Sequence, residues 1–350
     1  MFFSKPKNVL GIDIGTSYVK AVELKPGSSR PFLVSYGMVN VVLPRGSGGK
    51  IDAIGQIAEV IQALHEKANF TTKKAVISLP SNIAFVSVFD FPQMSEEELG
   101  RAVEYKAKQF IPLPLSDVNF SWQIVEDKSV KNSEQSKVDG TAKIQVLLTA
   151  VPKNVVNNYA KVMELAGYEP IAIEIESISA IRSLIGPEEK GAVLIVDVGA
   201  KSTILSLSLG RHLYGSRHLS IGGDTITSSI AKSLGITYER AEQLKRSSVD
   251  QERDKGGAEA AQNIVESVRT EVVQMIKISE NQGKSVSRII LSGGGSRYPS
   301  FKKVLRELSI PISDADPLRT IEFNPELGER LKDAGQQLSI AIGLALRSLE

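Results

Sequence analysis

The sequence predicts an α/β fold with two lobes, and three observations support this expectation. The chain has 350 residues, which exceeds the roughly 250–300 residues at which a single hydrophobic core stops growing. A short motif occurs twice, because Asp13-Ile14-Gly15 returns as Asp197-Val198-Gly199. Apolar segments with the period of strands alternate with segments that have the period of helices, and this favours mixed sheets covered by helices.

Each copy of the motif predicts a β-hairpin. Residues typical of strands, many of them β-branched, flank Gly15-Thr16-Ser17 in the first copy and Gly199-Ala200-Lys201 in the second. The pattern therefore indicates two related halves. The same string, a strand followed by Asp-x-Gly and a second strand, also arises by chance in unrelated hairpins.

The first half carries an insertion with both helix and strand signals. Ser95 and Glu98 form a capping-box pattern at the start of a helical repeat, which Pro112 ends. An alternating strand pattern follows. We expect an inserted α+β subdomain at about 83–168, in which the polar segment 126–142 forms an exposed loop.

The second half carries an insertion of its own, at about 225–284, with an almost wholly helical pattern. The last helix is predicted over Gln337 to Leu349. We expect the first lobe to contain residues 1–183 and 337–350, and the second lobe to contain residues 184–336.

Composition excludes several classes of function. The chain has 42 Lys and Arg against 40 Asp and Glu, a formal charge of +2, so a nucleic-acid partner is not expected. It has no Cys and 3 scattered His, which argues against disulfides and zinc sites. Neither a leader peptide nor the roughly 18 consecutive apolar residues of a membrane span is recognisable. We expect a cytoplasmic protein without direct membrane insertion.

The two glycine bends predict a phosphate site. Glycine lets the backbone approach an anion, so amides of Gly15, Thr16 and Ser17 could hold one side of a polyphosphate. Gly199, Ala200 and Lys201 would hold the other side. Asp13 and Asp197 precede the two bends, and Mg²⁺ held largely through water is the expected counter-ion between them. Hydrogen bonding within each turn is the alternative role for either aspartate.

A third glycine segment follows a predicted buried strand. It consists of Gly293, Gly294, Gly295 and Ser296. A flat adenine and its ribose could lie on such a backbone. A linker or a dinucleotide turn gives the same string, so this segment alone is weak evidence.

The order of these features resembles the actin-like ATPase superfamily, which has a ribonuclease H-like fold. The resemblance implies ATP and Mg²⁺ as cofactors. It also implies connecting helices at Ile173 to Ile181 and Ala341 to Ala345, where the lobes hinge; ordinary helix packing is the alternative.

The resemblance further implies cofactor-binding side chains outside the glycine bends. Glu242 and Lys245, three positions apart on a helix, would reach the nucleoside, although a solvated ion pair explains them nearly as well. Lys20, Gly222 and Gly223 are also expected among the cofactor-binding residues.

Within the superfamily the sequence most resembles the PilM family of type IV pilus assembly proteins. Gly11 to Lys20, Glu104 to Leu115 and Ile221 to Asp224 carry this resemblance. Chaperones, FtsA and GspL would need further segments that are not recognisable here. The resemblance implies a scaffold at the inner face of the inner membrane that binds the N-terminal cytoplasmic tail of PilN, and other pilus assembly proteins are possible partners.

The tail is expected in a groove near the inserted subdomain. Candidate contacts are Phe110, Ile111, Leu113 and Leu115, for which a place in the subdomain's own core is the favoured alternative.

Two other functions remain open. One is an ATPase or phosphotransferase in which Asp197 or Glu176 positions the nucleophile, with slow hydrolysis expected. The other is an FtsA-like polymerising protein.

Overall fold

The computed structural model describes residues 8–41, 50–125, 137–138, 141–246 and 255–349. Most of the predicted loop at 126–142 lies outside these residues. The strands are β1 (Val9–Ile14), β2 (Tyr18–Lys25), β3 (Phe32–Asn40), β4 (Lys74–Leu79), β5 (Phe85–Pro92), β6 (Val118–Ile124), β7 (Lys137–Val138), β8 (Thr141–Pro152), β9 (Glu169–Ile175), β10 (Ala192–Val198), β11 (Thr203–Leu209), β12 (His212–Leu219), β13 (Val286–Ser292) and β14 (Ile312–Asp314).

The helices lie between and beside these strands. They are α1 (Lys50–Ala68), α2 (Glu96–Phe110), α3 (Lys153–Leu165), α4 (Glu176–Leu184), α5 (Gly223–Leu234), α6 (Tyr238–Arg246), α7 (Lys255–Asn281), α8 (Pro299–Arg306), α9 (Gly328–Ala334) and α10 (Ser339–Leu346). Among the described residues, no helix combines the length and the apolar character needed to cross a bilayer.

Two sheets repeat one arrangement, and this confirms the two-lobed α/β prediction. The first sheet has the order β3-β2-β1-β4-β9 and the second has the order β12-β11-β10-β13-β14. In each, the strand that carries the motif pairs antiparallel with the next strand and parallel with a later one. Both motif strands are almost fully buried, because helices cover both faces of a parallel pair. The residue bounds of the lobes stay a prediction.

A third sheet, with the order β5-β8-β6, belongs to the inserted subdomain. Ser95 caps α2 in a capping box with Glu98, as the sequence predicts. On one face of the sheet, Leu99 and Val103 of α2 pack in a core that includes Val146 and other strand residues. On the other face, Leu147 belongs to the core of the second lobe. The sheet of the subdomain therefore lies between α2 and the second lobe.

The helices α4 and α10 cross in close contact. A Cβ atom at Gly343 would lie 1.8 Å from the carbonyl oxygen of Ser179, so only glycine fits this crossing. The guanidinium of Arg182 donates to the carbonyl of Gly343 at 2.9 Å and pairs with the buried Glu174. These contacts fix α10 of the C-terminus against the segment that joins the lobes.

Two predicted helices have different limits in the structure. The segment predicted as a connecting helix from Ile173 begins as a strand, because Ile173–Ile175 pair with β4 in parallel register and the helix begins at Glu176. The last helix begins at Ser339, after a 3₁₀ turn at 335–337, and ends at Leu346.

Candidate functional site

A cleft of about 910 Å³ receives residues from both sheets. The bends after β1 and β10 both line it, and each bend is closed by the same hydrogen bond. The amide of Gly15 donates to Tyr18 at 3.0 Å, and that of Gly199 donates to Ser202 at 2.8 Å. Among the described residues, no hydrogen bond is found from the amides of Thr16 or Ala200. Both bends can therefore direct amides at an anion.

The second bend is supported from behind by the start of α5. The amide of Gly223 donates to the carbonyl of Gly199 at 2.9 Å, and the amide of Asp224 donates to that of Ala200 at 2.8 Å. Because these carbonyls are engaged, the bend is held in one conformation. Gly223 lines the cleft, whereas Gly222 lies behind it.

The floor of the cleft carries an ion pair. The tight bend pairs Asp13 with Lys20 across β1 and β2, and the Lys20 ammonium lies 3.0 Å from the Asp13 carboxylate. Asp13 also accepts a hydrogen bond from Ser78 of β4 at 3.0 Å. Burial alone would lower the pKa of Lys20, but the negative charge of Asp13, followed by that of Asp197, outweighs burial and raises the pKa.

Two more carboxyl groups lie at the same floor. Glu176 is buried at the start of α4 and accepts a hydrogen bond from the amide of Ser81 at 3.2 Å. Burial, together with the charge of Asp13, raises the pKa of Glu176 to about 8. Burial also raises the pKa of Asp197, although Lys20 opposes the shift. At neutral pH, Glu176 therefore holds its proton.

The helix α6 contributes a charged cluster to the opposite wall. The Glu242 carboxylate lies 2.6 Å from Lys245 and 2.9 Å from Arg246, and it accepts a hydrogen bond from Thr227 at 2.6 Å. Burial would raise the pKa of Glu242, but these hydrogen bonds, led by that from Lys245, lower it. The predicted pair of Glu242 and Lys245 is thus an ion pair that also forms part of the cleft wall.

The glycine segment after β13 lies tightly against β10. Gly293 has φ of 80°, and a Cβ atom there would lie 2.4 Å from the carbonyl oxygen of Val198. The hydroxyl of Ser296 donates to the carbonyl of Gly293 at 2.8 Å and closes the segment into a loop. This close fit presents bare backbone to the cleft, which leaves room for a flat group.

The structure brings most of the predicted site residues to one cleft. The predicted residues that line it are Asp13, Gly15, Thr16, Ser17, Lys20, Glu176, Asp197, Gly199, Ala200, Gly223, Glu242, Lys245, Gly293, Gly294 and Gly295. Three predicted residues lie outside its wall, namely Lys201, Gly222 and Ser296. Lys201 is exposed, whereas the other two support the loops from behind.

Sequence reasoning missed several polar residues of the cleft. They are Asn82, Asp224, Tyr238, Arg246, Arg297 and Gln337. Asp224 and Arg297 directly follow predicted glycine motifs, so their position in the sequence could have identified them. Tyr238 donates to Asp224 at 3.0 Å, and this contact depends on how α5 and α6 pack.

A divalent cation could bind at the floor between Asp13 and Asp197. Within the described ranges, no group of three or more carboxylate or imidazole side chains forms a complete metal site. Two carboxylates in a cleft that can also hold phosphate oxygens and water match the ligands that Mg²⁺ prefers. The donor set therefore fits a hydrated Mg²⁺ that arrives with a polyphosphate.

Comparisons with known proteins agree with this architecture. The cell division protein FtsA of Bacillus subtilis (strain 168) is 23% identical over 254 residues, covering 68% of this chain and 57% of that protein. The chain thus spans little more than half the length of this relative. A structure of a PilM-PilN type IV pilus biogenesis complex matches with a TM-score of 0.81 and 24% identity, covering 99% of this chain and 100% of that one.

A third match is MreB 5 of Spiroplasma citri bound to AMPPNP, with a TM-score of 0.51 and 12% identity, covering 97% of this chain and 95% of that one. These likenesses show an actin-like fold. The model of the family described as type IV pilus assembly protein PilM matches residues 11–349, nearly the whole chain. The resemblance inferred from the sequence is confirmed, and the chain belongs to the PilM family of type IV pilus assembly proteins.

Proposed function

We propose that this protein is an ATP-binding scaffold of the type IV pilus machine. The observation that carries the proposal is that two glycine bends, 184 residues apart, and a third glycine segment line one cleft of about 910 Å³. This volume lies within the range of roughly 300–1,000 Å³ that is typical of small-molecule sites. The likeness to MreB 5 with AMPPNP supports the choice of a nucleoside triphosphate.

Different residues of the cleft would contact different parts of the nucleotide. The amides at Thr16 and Ala200 would bind phosphate oxygens, and the Lys20 ammonium would offset part of their charge. Glu242 and Lys245 would contact the nucleoside. Asp13 and Asp197 would hold the hydrated Mg²⁺, which neutralises phosphate charge when it is bound.

A change in melting temperature tests ATP binding directly. A ligand that binds only the folded state stabilises it, by about 2.7 kcal/mol at a concentration 100 times its Kd. We expect Mg-ATP at millimolar concentration to raise the melting temperature by several degrees. An unchanged melting temperature with both ATP and ADP would contradict the proposal.

Slow ATP hydrolysis is a second candidate activity, because Asp197 and Glu176 line the cleft. Either group could orient water toward a phosphate. Glu176 holds its proton at neutral pH, since its pKa is raised to about 8, and it is then unable to accept one. We expect phosphate release well below about 1 s⁻¹, and Asp197→Asn should reduce it further. Faster turnover would favour a phosphotransferase or a true ATPase.

The partner would dock where the first lobe meets the inserted subdomain. Here Leu79, Val151 and Ile175 form a small buried cluster, and further apolar side chains that are partly buried pack against it. We propose that these partly buried side chains line a groove, which we call the junction groove; they are Ile83, Ala84, Val86, Val155, Val156, Tyr159, Ile173 and Ile178. An extended apolar peptide could cover the exposed parts of these side chains, and their burial would favour binding.

The peptide we propose is the N-terminal cytoplasmic tail of a PilN-like inner-membrane protein. The solved PilM-PilN complex, of a relative with 24% identity, supports this choice. Binding such a tail would hold the protein at the inner face of the inner membrane. Other pilus assembly proteins could join through further surfaces.

The end of α2 offers a competing surface for the tail. Phe110 is 48% exposed and Leu113 is 43% exposed, whereas Ile111 is buried and Leu115 is half-buried in the subdomain core. Ile111 and Leu115 therefore occupy core positions, the favoured alternative, whereas Phe110 and Leu113 lie at the surface. The helix ends at Phe110, and a segment with two prolines follows it.

Calorimetry with a synthetic PilN tail peptide distinguishes the two surfaces. Ile83→Glu places a charge in the junction groove and should weaken the peptide at least about tenfold. Leu113→Glu, the matched control at the end of α2, should leave the Kd unchanged. The opposite result would place the tail at α2, and a wild-type protein that ignores the peptide would contradict the proposed partner.

A further inference from the structure

The junction groove shares side chains with the core of the second lobe. Val86 of β5 and Ile178 of α4 pack against the buried residues of the groove, and both also pack against the second-lobe core. The walls of the groove therefore depend on where the second lobe lies. A side chain packed on two bodies cannot keep both sets of contacts when the bodies rotate, because protein interiors are close-packed.

A chain of three serines crosses between the lobes beside these residues. The hydroxyl of Ser81, after β4, lies 2.9 Å from that of Ser177 on α4, which lies 3.2 Å from that of Ser216 on β12. The amide of Ser81 also donates to Glu176 at the floor of the nucleotide cleft. One hydrogen-bonded path thus joins the cleft floor, the first lobe and β12.

A second bridge joins β12 to the inserted subdomain. Gln145 of β8 donates to the hydroxyl of Tyr214 on β12 at 3.2 Å. Leu147, two residues after Gln145, and Val125, whose amide donates to the carbonyl of Gln145 at 2.8 Å, are buried in the core of the second lobe. The strand β12 therefore holds the subdomain that forms one side of the junction groove.

We propose that β12 couples the nucleotide cleft to the junction groove through Ser216 and Tyr214. The inference rests on the proposed function and specifies how its peptide site is regulated. A nucleotide that favours one arrangement of the lobes sets the position of β12, and β12 sets the spacing of the groove walls through Val86 and Ile178. Coupling of this kind is reciprocal, so the tail changes the nucleotide affinity by the same factor.

The experiment compares wild type with the double variant Ser216→Ala, Tyr214→Phe. This variant removes the hydroxyl groups that bond to Ser177 and Gln145 and keeps the apolar packing, and neither residue lines the nucleotide cleft. The matched control is Ser121→Ala, Tyr105→Phe, within the inserted subdomain, where Ser121 bonds to Thr149 and Tyr105 is exposed. Calorimetry gives the Kd of the synthetic PilN tail peptide with and without Mg-AMPPNP.

We expect Mg-AMPPNP to change the peptide Kd at least about threefold in wild type and in the control. In the β12 variant the change should fall below about 1.5-fold, while each ligand alone keeps its affinity within about twofold. A β12 variant that retains the wild-type ratio would overturn the inference. So would a wild type that binds both ligands independently.

Hydrogen exchange supplies a readout that needs no peptide. Mg-AMPPNP should alter amide exchange in β5 and α4 of wild type, and this response should be lost in the β12 variant. If the response behaves in this way but the peptide does not bind, the coupling stands and the proposed docking partner is wrong. If β5 and α4 respond equally in both proteins, the coupling through β12 is wrong.

Discussion

The carboxylate of Asp13 and the ammonium of Lys20 lie 3.0 Å apart on facing residues of β1 and β2. Asp13 is 1% exposed and Lys20 is 19% exposed. The pair is surrounded by two further carboxyl groups, Glu176 and Asp197, that line the same cleft. The Lys20 ammonium thus offsets negative charge at the cleft floor and stabilises the folded protein before any ligand binds.

Replacing this ammonium should destabilise the protein. Lys20→Met keeps the length of the side chain but leaves Asp13 as an uncompensated buried charge, a change that typically costs about 3–5 kcal/mol. We expect a loss of about 2–3 kcal/mol in urea unfolding at pH 7, because Lys20 is partly exposed. A loss below about 0.5 kcal/mol would contradict this explanation.

Glu176 should make stability fall as pH rises. Its pKa in the folded protein is raised to about 8 from the ordinary value of 4.5, so the folded state binds more protons than the unfolded state between these values. Stability then decreases by up to about 1.4 kcal/mol per pH unit and levels off above pH 8. Glu176→Gln still accepts the hydrogen bond from Ser81 but cannot titrate.

Urea unfolding from pH 5 to pH 8 measures this effect. The variant should gain stability relative to wild type as the pH increases, with the largest advantage near pH 8. The pKa of Asp197 is also raised. Both proteins should therefore keep part of the decrease in stability with rising pH. Parallel curves for the two proteins would show that Glu176 ionises normally.

The contact between Gly343 and Ser179 should be intolerant of even one methyl group. Gly343→Ala would bring a Cβ atom within 1.8 Å of the Ser179 carbonyl oxygen, so α4 and α10 must separate. We expect a loss of about 3 kcal/mol or a failure to fold. The matched control is Gly55→Ala in α1, where the new methyl group meets no atom within 4 Å and should stabilise the helix by up to about 1 kcal/mol.

The sequence predicted the features that depend on neighbours in the chain. The hairpin bends at Gly15 and Gly199 and the capping box at Ser95 are local patterns, and the structure has each of them. The pairing of Asp13 with Lys20 was not predicted, although the short turn fixes the register of β1 and β2. The sequence predicts a helix from Ile173, yet Ile173–Ile175 form a strand, because β4 pairs with them in parallel.

Contacts between distant segments could not be predicted from the sequence. Gln145 and Tyr214 are 69 positions apart in the sequence. Predicting their contact requires knowing which face of the third sheet packs against the second lobe. The symmetry of the two bends suggested that Lys201 would act as Ser17 does, but Lys201 is exposed and lies outside the cleft wall. The two similar motifs therefore predicted two similar backbone bends. The packing around each bend determines which of its side chains line the cleft.

Calorimetry with Mg-ATP on three proteins tests whether the two bends and the glycine segment enclose one nucleotide. Gly293→Ala would place a methyl group 2.4 Å from the Val198 carbonyl oxygen, whereas Gly283→Ala, also at positive φ, meets no atom within 4 Å. We predict one ATP bound per wild-type chain, at least about tenfold weaker binding to Gly293→Ala, and wild-type affinity for Gly283→Ala. Equal affinity in all three proteins, or no binding to wild type at millimolar ATP, would contradict the claim.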